Sequence, residues 1–307
     1  MIRSDNHVHT VFSSDSEEPL EQMLTQAVEI GLSSICITDH MDYDFPDLGN
    51  GMNFEFDPRA YIVALQQIRP KFPNLEIRQG VELGLKDSAL PQASALINNY
   101  DFDFVIGSTH LVDNTDPYYD SFWEGYEEAD GIRQYYETTL NNLQLGFDFD
   151  VYGHLDYILR YTPTMRQLGD DIAAKDFYLE KCTDQFMDII DEILQLLIDQ
   201  GRGIEINTAG WKYGLGHPNP HEKILTRYLE LGGEILSIGS DAHEAKHLGY
   251  SFEQVPEVLS QCGFRPSLPD GRPRKGDGQT RERTAYRRIS PHSASHSGSL
   301  PPSPDFP

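Results

Sequence analysis

The chain has 307 residues, of which 38% are hydrophobic and 24% charged, and its formal net charge is −25 at pH 7. These values indicate a globular chain that is long enough for one large α/β domain or two smaller ones. The negative charge disfavours non-specific nucleic-acid binding. The sequence contains no run of about 18 apolar residues, so no membrane span is predicted.

Seven short apolar segments rich in β-branched residues alternate with longer amphipathic segments. The predicted strands are residues 2–6, 34–38, 76–81, 104–107, 150–152, 203–206 and 234–238. The predicted helices are residues 20–30, 58–69, 90–99, 132–145, 176–200, 220–231 and 252–262. This alternation predicts βαβ units and a parallel sheet. Seven units within residues 1–264 favour a closed or nearly closed β/α barrel, with an open doubly wound sheet as the alternative.

Two segments stand outside the alternation. The aromatic loop, residues 111–130, is long and rich in aromatic and acidic side chains, so we interpret it as a lid over a site, with a packed loop as the alternative. Residues 265–307 are dense in Arg, Pro, Ser and Gly, and we predict a disordered or non-native tail, or else a basic docking tail. The tail carries a formal charge of +4, which leaves −29 on residues 1–264. So acidic a body would repel an anionic substrate unless cations occupy its site.

The cysteines and the N-terminus indicate the cellular compartment of the protein. Cys36, Cys182 and Cys262 are few and far apart, which argues against a disulfide framework and for reducing conditions. The first predicted strand starts at once, which leaves no room for a signal peptide. We therefore expect a cytoplasmic protein.

Every predicted strand is followed by a polar residue able to bind a metal or a ligand. In chain order these residues are His7, His9, Asp39, His40, Glu82, His110, His154, Asn207, Asp241 and His243. Taken singly, a histidine or carboxylate of this kind is more often a structural residue. The C-terminal ends of the strands of a parallel barrel open on one face, however, so these side chains should converge there. Imidazole and carboxylate groups suit Zn, Mn and Fe(II), and we therefore predict a metal site.

Three other histidines lie away from the predicted strand ends. They are His217, His221 and His247, which we interpret as surface or capping residues.

Several of these segments match known motifs. In chain order they are Asp5-Asn6-His7-Val8-His9-Thr10 with Ser13-Ser14-Asp15, then Ile37-Thr38-Asp39-His40, Gly80-Val81-Glu82, Gly107-Ser108-Thr109-His110, Gly153-His154-Leu155-Asp156 and Gly239-Ser240-Asp241-Ala242-His243. Together they resemble the polymerase-and-histidinol-phosphatase (PHP) superfamily over residues 1–264. Asp15, and Tyr157 and Arg160 after the fifth segment, resemble its histidinol-phosphate phosphatase branch. The basic tail after residue 264 departs from the pattern.

The resemblance implies a distorted (β/α)7 barrel, which is TIM-like, with three divalent ions (Zn, Mn or Fe) at the C-terminal ends of the strands. One ion would bind His7, His9, Glu82 and Asp241, a second Glu82, His110 and His154, and the third Asp15, His40 and His243.

The expected reaction is hydrolysis of a small phosphomonoester, and the branch implies L-histidinol phosphate, a step of histidine biosynthesis. Glu82, Asp241 and His243 would serve catalysis by holding a metal-activated hydroxide. Arg160 would bind the phosphate, with a surface ion pair as the alternative. Asp42, Asp44 or the aromatic loop would receive the ammonium and imidazole groups.

Three other functions stay open from the sequence. A different PHP phosphoesterase would act on nucleotides, oligonucleotide ends or phosphotyrosine. An amidohydrolase would usually need a lysine at a strand end, and none follows these strands. A non-catalytic metal-binding module would keep the ligands without turnover.

Overall fold

The structure is a computed structural model that describes residues 2–47, 49 and 51–264. Its strands are β1 (Ser4–Asp5), β2 (Ser34–Ile37), β3 (His40–Met41), β4 (Glu76–Gly84), β5 (Phe104–Ser108), β6 (Val151–Tyr152), β7 (Gly203–Asn207) and β8 (Leu236–Gly239). Its α-helices are α1 (Leu20–Glu29), α2 (Pro58–Ile68), α3 (Leu90–Asn99), α4 (Asp120–Trp123), α5 (Glu128–Gln144), α6 (Pro163–Leu168), α7 (Ile172–Gln185), α8 (Met187–Asp199), α9 (Ala209–Lys212), α10 (Glu222–Glu230) and α11 (Val255–Gln261). The predicted tail, residues 265–307, lies outside the described residues.

The strands form one parallel sheet in the order β1-β2-β4-β5-β6-β7-β8, and β3 extends the line of β2 beside β4. Backbone hydrogen bonds join the first and last strands. The amide of Asn6 donates to the carbonyl of Ile238 at 3.1 Å, and the amide of His9 donates to that of Ala242 at 2.9 Å. The sheet therefore nearly closes into a barrel of seven strand positions, which confirms the predicted barrel over the open sheet.

Strand β4 is longer than predicted. It continues past Val81 to Gly84 because β3 and β5 supply backbone partners on both sides. The prediction that Glu82 follows the end of the third strand is therefore wrong. Glu82 lies inside β4 with its side chain fully buried, which places its carboxylate at the centre of the barrel mouth.

The predicted helix over residues 176–200 is two helices, α7 and α8, with a break at Phe186. Phe186 leaves helical geometry and buries its ring, which lies 6.0 Å from the ring of Tyr136 on α5. The apolar stripe beyond the break packs inward as predicted, since its members are buried: Ile189, Ile190, Ile193, Leu194 and Leu197.

The aromatic loop is anchored to the body of the protein. Phe122 and Trp123 are buried, and the indole of Trp123 donates to the carbonyl of Pro117 at 2.9 Å. The hydroxyl of Tyr126 donates to Asp113 at 2.8 Å. These contacts favour the packed loop over the lid.

Among the described residues, no helix has both the length and the apolar character to cross a bilayer.

Candidate metal centre

The nine predicted metal ligands meet at the C-terminal mouth of the barrel. Each comes from a strand end, from strand β3 or β4, or from the loop after β1: His7, His9, Asp15, His40, Glu82, His110, His154, Asp241 and His243. All are buried except Asp15, which is exposed, and His243, which is partly exposed. The backbone of His154 and of Asp241 has positive φ, so the chain turns sharply where it delivers these side chains.

Glu82 stands between two groups of histidines. Its Oε1 lies 3.2 Å from Nε2 of His110 and 2.9 Å from Nε2 of His154. Its Oε2 lies 3.1 Å from Nε2 of His7 and 3.4 Å from Nε2 of His9. Each group has the spacing of a metal site, because its ligand atoms all lie within 4.8 Å of one another. A carboxylate placed in this way can bridge two cations.

A third group lies at the rim of the same site. Oδ2 of Asp15 is 3.0 Å from Nε2 of His243 and 3.5 Å from Nε2 of His40. The ring of His9 stacks between those of His40 and His243, at centroid distances of 4.3 and 4.1 Å. The nitrogens of these three histidines also meet the spacing of a metal site.

The protonation of this cluster fits divalent cations. Burial, and then the neighbouring His243 and His40, lower the pKa of His9 far below its usual value, so this imidazole is neutral. Its buried Nε2 has no hydrogen-bond partner among the described residues, although it faces carboxylate oxygens of Glu82 and Asp241 at 3.4 and 3.5 Å. Because the hydroxyl of Ser13 donates to Asp39 at 2.7 Å, Nδ1 of His9 donates to Ser13 and Nε2 carries the lone pair. A lone pair directed at carboxylate oxygens is repulsive unless a cation lies between them. The donor set and this orphaned nitrogen therefore fit a metal.

The carboxylates are ionised despite their burial. Burial raises the pKa of Glu82, but the charges of His7, His40 and His110 together lower it by more than burial raises it. The pKa of Glu82 therefore lies well below the ordinary value. Asp241 behaves in the same way, with His7 as the largest lowering influence on its pKa. A bound cation would hold both groups ionised in the place of protonated imidazoles.

Several ligands are oriented by buried hydrogen bonds. Nδ1 of His7 donates to Oε1 of Glu205 at 2.7 Å, and the hydroxyl of Ser108 donates to Oε1 of Glu82 at 2.7 Å. Nδ1 of His9 lies 3.1 Å from the hydroxyl of Ser13. Sequence reasoning missed Glu205, although a charged residue between Ile204 and Ile206 in an otherwise apolar strand was a usable signal.

Asp42 lines the cavity but already has a partner. Its Oδ1 accepts a hydrogen bond from Nδ1 of His110 at 2.6 Å, and its Oδ2 lies 3.5 Å from Nδ1 of His40. Burial raises the pKa of Asp42, but the charges and hydrogen bonds of His110 and His40 together outweigh burial, so its pKa is lowered. These contacts favour a role in orienting His110 over the predicted contact with substrate.

Arg160 is 7% exposed, which excludes the surface ion pair considered for it. Its Nε donates to Oδ1 of Asn219 at 2.7 Å, and one Nη donates to Oδ1 of Asn207 at 3.2 Å. The other Nη lies 3.6 Å from Oδ2 of Asp241. The guanidinium is thus held beside the three groups of candidate metal ligands, called the metal groups below, and two amide side chains set its position.

The cavity above this cluster has a volume of about 500 Å³. The metal groups form its floor, and Arg160, Lys212, Asp116 and several tyrosines line its walls. No sequence motif indicated Lys212 or Asp116. Lys212 belongs to α9, and its Nζ donates to the backbone carbonyl of Asp241 at 3.4 Å.

The histidines assigned to surface or capping roles divide three ways. His221 caps α10 by accepting from the amide of Lys223, as predicted. His247 is partly exposed and lines the cavity. His217 is buried, with Nδ1 donating to the carbonyl of Pro218 at 2.7 Å, so its assignment to the surface is wrong.

Comparisons with known proteins identify similar chains. The family described as "PHP domain" matches residues 5–209. A protein of Clostridium acetobutylicum named probable histidinol-phosphatase is 30% identical over 265 residues, covering 85% of this chain and 94% of that protein. The histidinol-phosphatase of Lactococcus lactis is 28% identical over 271 residues, covering 86% of this chain and 93% of that protein.

A similar solved structure supports the same relationship. The crystal structure of histidinol phosphate phosphatase from Lactococcus lactis, complexed with Zn, L-histidinol and phosphate, aligns with a TM-score of 0.74 at 28% identity. The alignment covers 86% of this chain and 94% of that one.

Proposed function

The chain belongs to the PHP domain family, and from this premise we propose that it is a metal-dependent phosphatase that hydrolyses L-histidinol phosphate to L-histidinol and phosphate. The observation that carries the proposal is a buried cluster of imidazoles and carboxylates lying beside a fixed guanidinium in one cavity. The similarity extends over nearly the whole length of a phosphatase solved with Zn, L-histidinol and phosphate.

Three divalent ions are proposed, with the ligands that the family resemblance implies. His7, His9, Glu82 and Asp241 would hold one ion, Glu82, His110 and His154 a second, and Asp15, His40 and His243 the third. Ligand atoms of His7, His9 and Glu82, and those of Glu82, His110 and His154, lie within 4.8 Å of one another, which supports the first two ions. Distances of 3.0 and 3.5 Å from Asp15 to His243 and His40 support the third. Such ions supply Lewis acidity towards a phosphoryl oxygen and make a nucleophile available from water at neutral pH. In this sense Glu82, Asp241 and His243 are the residues proposed to serve the chemical step.

Arg160 is proposed to bind the phosphate. Because Asn219 and Asn207 already hold its Nε and one Nη, its orientation is set before substrate arrives. Asn219 is held in turn, since its amide donates to Oδ1 of Asp156 at 2.6 Å. Preorganised donors of this kind stabilise charge that develops on phosphoryl oxygens without a cost of reorganisation.

The cavity suits a small charged substrate. Its volume of about 500 Å³ lies in the range of small-molecule sites. Its walls combine tyrosine rings with acidic side chains, which matches a phosphomonoester that carries cationic nitrogen groups at its other end. We assign this chemistry to residues 1–264, the proposed phosphoesterase domain.

The test is phosphate release from L-histidinol phosphate by purified protein supplied with Zn or Mn. Glu82→Ala and His9→Ala are expected to abolish turnover. Glu76→Ala is the matched control, because Glu76 is exposed at the opposite end of the same strand and should leave turnover unchanged. Full activity in both site variants would refute the metal mechanism, and rapid turnover of nucleotides or phosphotyrosine in its place would favour a different PHP phosphoesterase.

A further inference from the structure

Asp116 lines the cavity from the aromatic loop and belongs to none of the proposed metal groups. Its Oδ1 accepts from the amide of Tyr118 at 2.8 Å and lies 3.5 Å from the hydroxyl of Tyr157. Within the described part of the chain, no donor contacts its Oδ2. One carboxylate oxygen is therefore fixed by the protein, and the other is available to a ligand.

Hydrogen bonds fix the two residues that follow Asp116. The carbonyl of Pro117 accepts from the indole of Trp123 at 2.9 Å, and the carbonyl of Tyr118 accepts from the guanidinium of Arg166 at 2.8 Å. The carboxylate thus stands at a defined point on the wall, which a specific contact requires.

Tyr157 relates Asp116 to the proposed phosphate site. The hydroxyl of Tyr157 faces Asp116, and the guanidinium of Arg160 lies 5.6 Å from the centroid of the same ring. An anion-binding group and a carboxylate therefore flank a single aromatic side chain. The rings of Tyr118 and Tyr161 lie close by, 5.3 Å apart, and an aromatic setting of this kind favours a cation.

We propose that Asp116 is a specificity-determining residue that binds a cationic nitrogen group of the substrate while the phosphate lies at Arg160 and the metal groups. This inference rests on the phosphatase function proposed above. Asp116 would select phosphomonoesters of amino alcohols over phosphomonoesters without a cationic group, because the latter leave the carboxylate without a partner.

The electrostatics of the free pocket agree with this role. Burial raises the pKa of Asp116 to about 6, and the hydrogen bond from the amide of Tyr118 offsets only part of that effect. The carboxylate is therefore costly to hold ionised in the empty cavity. A cation brought by the substrate would relieve that cost.

The experiment compares two substrates in the full-length protein loaded with metal. For Asp116→Asn, kcat/KM on L-histidinol phosphate should fall roughly 10- to 100-fold, mainly through KM, because a charge-assisted hydrogen bond is lost. With p-nitrophenyl phosphate, which lacks a cationic group, kcat/KM should stay within about twofold of wild type. Asp116→Glu should recover part of the loss.

The control is Asp113→Asn in the same loop, an exposed residue that should leave both substrates unaffected. An equal loss on both substrates in Asp116→Asn would overturn the proposal and assign Asp116 to holding the loop. No loss on either substrate would also overturn it. Wild-type protein that hydrolyses p-nitrophenyl phosphate but not L-histidinol phosphate would instead refute the proposed function.

Discussion

Nδ1 of His7 donates a hydrogen bond of 2.7 Å to Oε1 of Glu205, and both side chains are buried. The bond keeps a proton on Nδ1 of His7, so that Nε2, which lies 3.1 Å from Glu82 and 3.7 Å from Asp241, is the nitrogen that would bind a cation. The other oxygen of Glu205 accepts from the backbone amide of His154 at 3.0 Å. One carboxylate outside the proposed ligand set therefore orients residues of two metal groups.

Glu205→Gln should weaken metal binding about 10- to 100-fold, the usual effect of removing such an orienting partner. If the amide oxygen of Gln faced His7, its NH2 would meet the amide of His154. If the amide of Gln were flipped, its NH2 would donate to Nδ1 of His7. His7 would then carry its proton on Nε2, where the metal should bind. The measurement is Zn affinity by competition with a chelating dye.

Glu192→Gln is the control for this variant, because Glu192 is exposed on α8. Unchanged affinity in Glu205→Gln would mean that the tautomer of His7 does not matter to the metal.

Gly239→Ala should damage the same pair by steric overlap. A Cβ at this position would overlap the Cβ of His7 and Oε1 of Glu205. We expect a loss of about 1–3 kcal/mol in unfolding free energy, as in other overpacked cores, together with weaker metal binding. Gly125→Ala should be neutral, since its Cβ would meet nothing closer than the carbonyl of Phe122 at 3.7 Å. Denaturant unfolding of both variants measures the difference, and equal stabilities would contradict the close packing around His7.

Arg160→Lys should lower kcat/KM by about 10²- to 10³-fold, because lysine cannot offer a planar fork to the phosphate while also bonding Asn219. The loss should be similar for L-histidinol phosphate and for p-nitrophenyl phosphate, since both carry the group that Arg160 is proposed to bind. Steady-state kinetics of both substrates measure the loss. Arg133→Lys is the control, because Arg133 forms an exposed ion pair with Asp188. A loss confined to one substrate would move Arg160 away from the phosphate.

Removal of metal should destabilise the protein as well as inactivate it. Each ion present at about 100 times its Kd stabilises the fold by about 2.7 kcal/mol, so that loss of even one ion on chelation should lower Tm by roughly 5–10 °C. Stabilisation is expected because, when no cation is bound, only protonated imidazoles offset the burial of the carboxylates and the repulsion between them. Calorimetry with and without chelator measures the shift, and Tm should recover when Zn or Mn is restored. In Glu82→Ala the same chelation should change Tm much less, and a full shift in that variant would place the metal elsewhere.

The sequence alone determined the barrel and most side chains of the candidate metal site. Alternating strands and helices require parallel strands, and parallel strands of one sheet all end on the same face. Residues as distant as His7 and His243 could therefore be assigned to one place without coordinates. The motif resemblance added Asp15 and Arg160, which no strand end points to.

Only the tertiary structure decided how those groups are oriented and what supports them. Glu205 is 198 residues from His7, and Asp42 is 68 residues from His110, so no local pattern shows that either pair is in contact. The burial of Arg160 depends on Asn219 and Asn207, which reach it from other parts of the barrel. Strand ends follow from local periodicity, whereas the direction of a side chain follows from its packing against residues far along the chain. For the same reason, no local pattern shows that Asp116 lines the cavity, because the packing of its loop places it there.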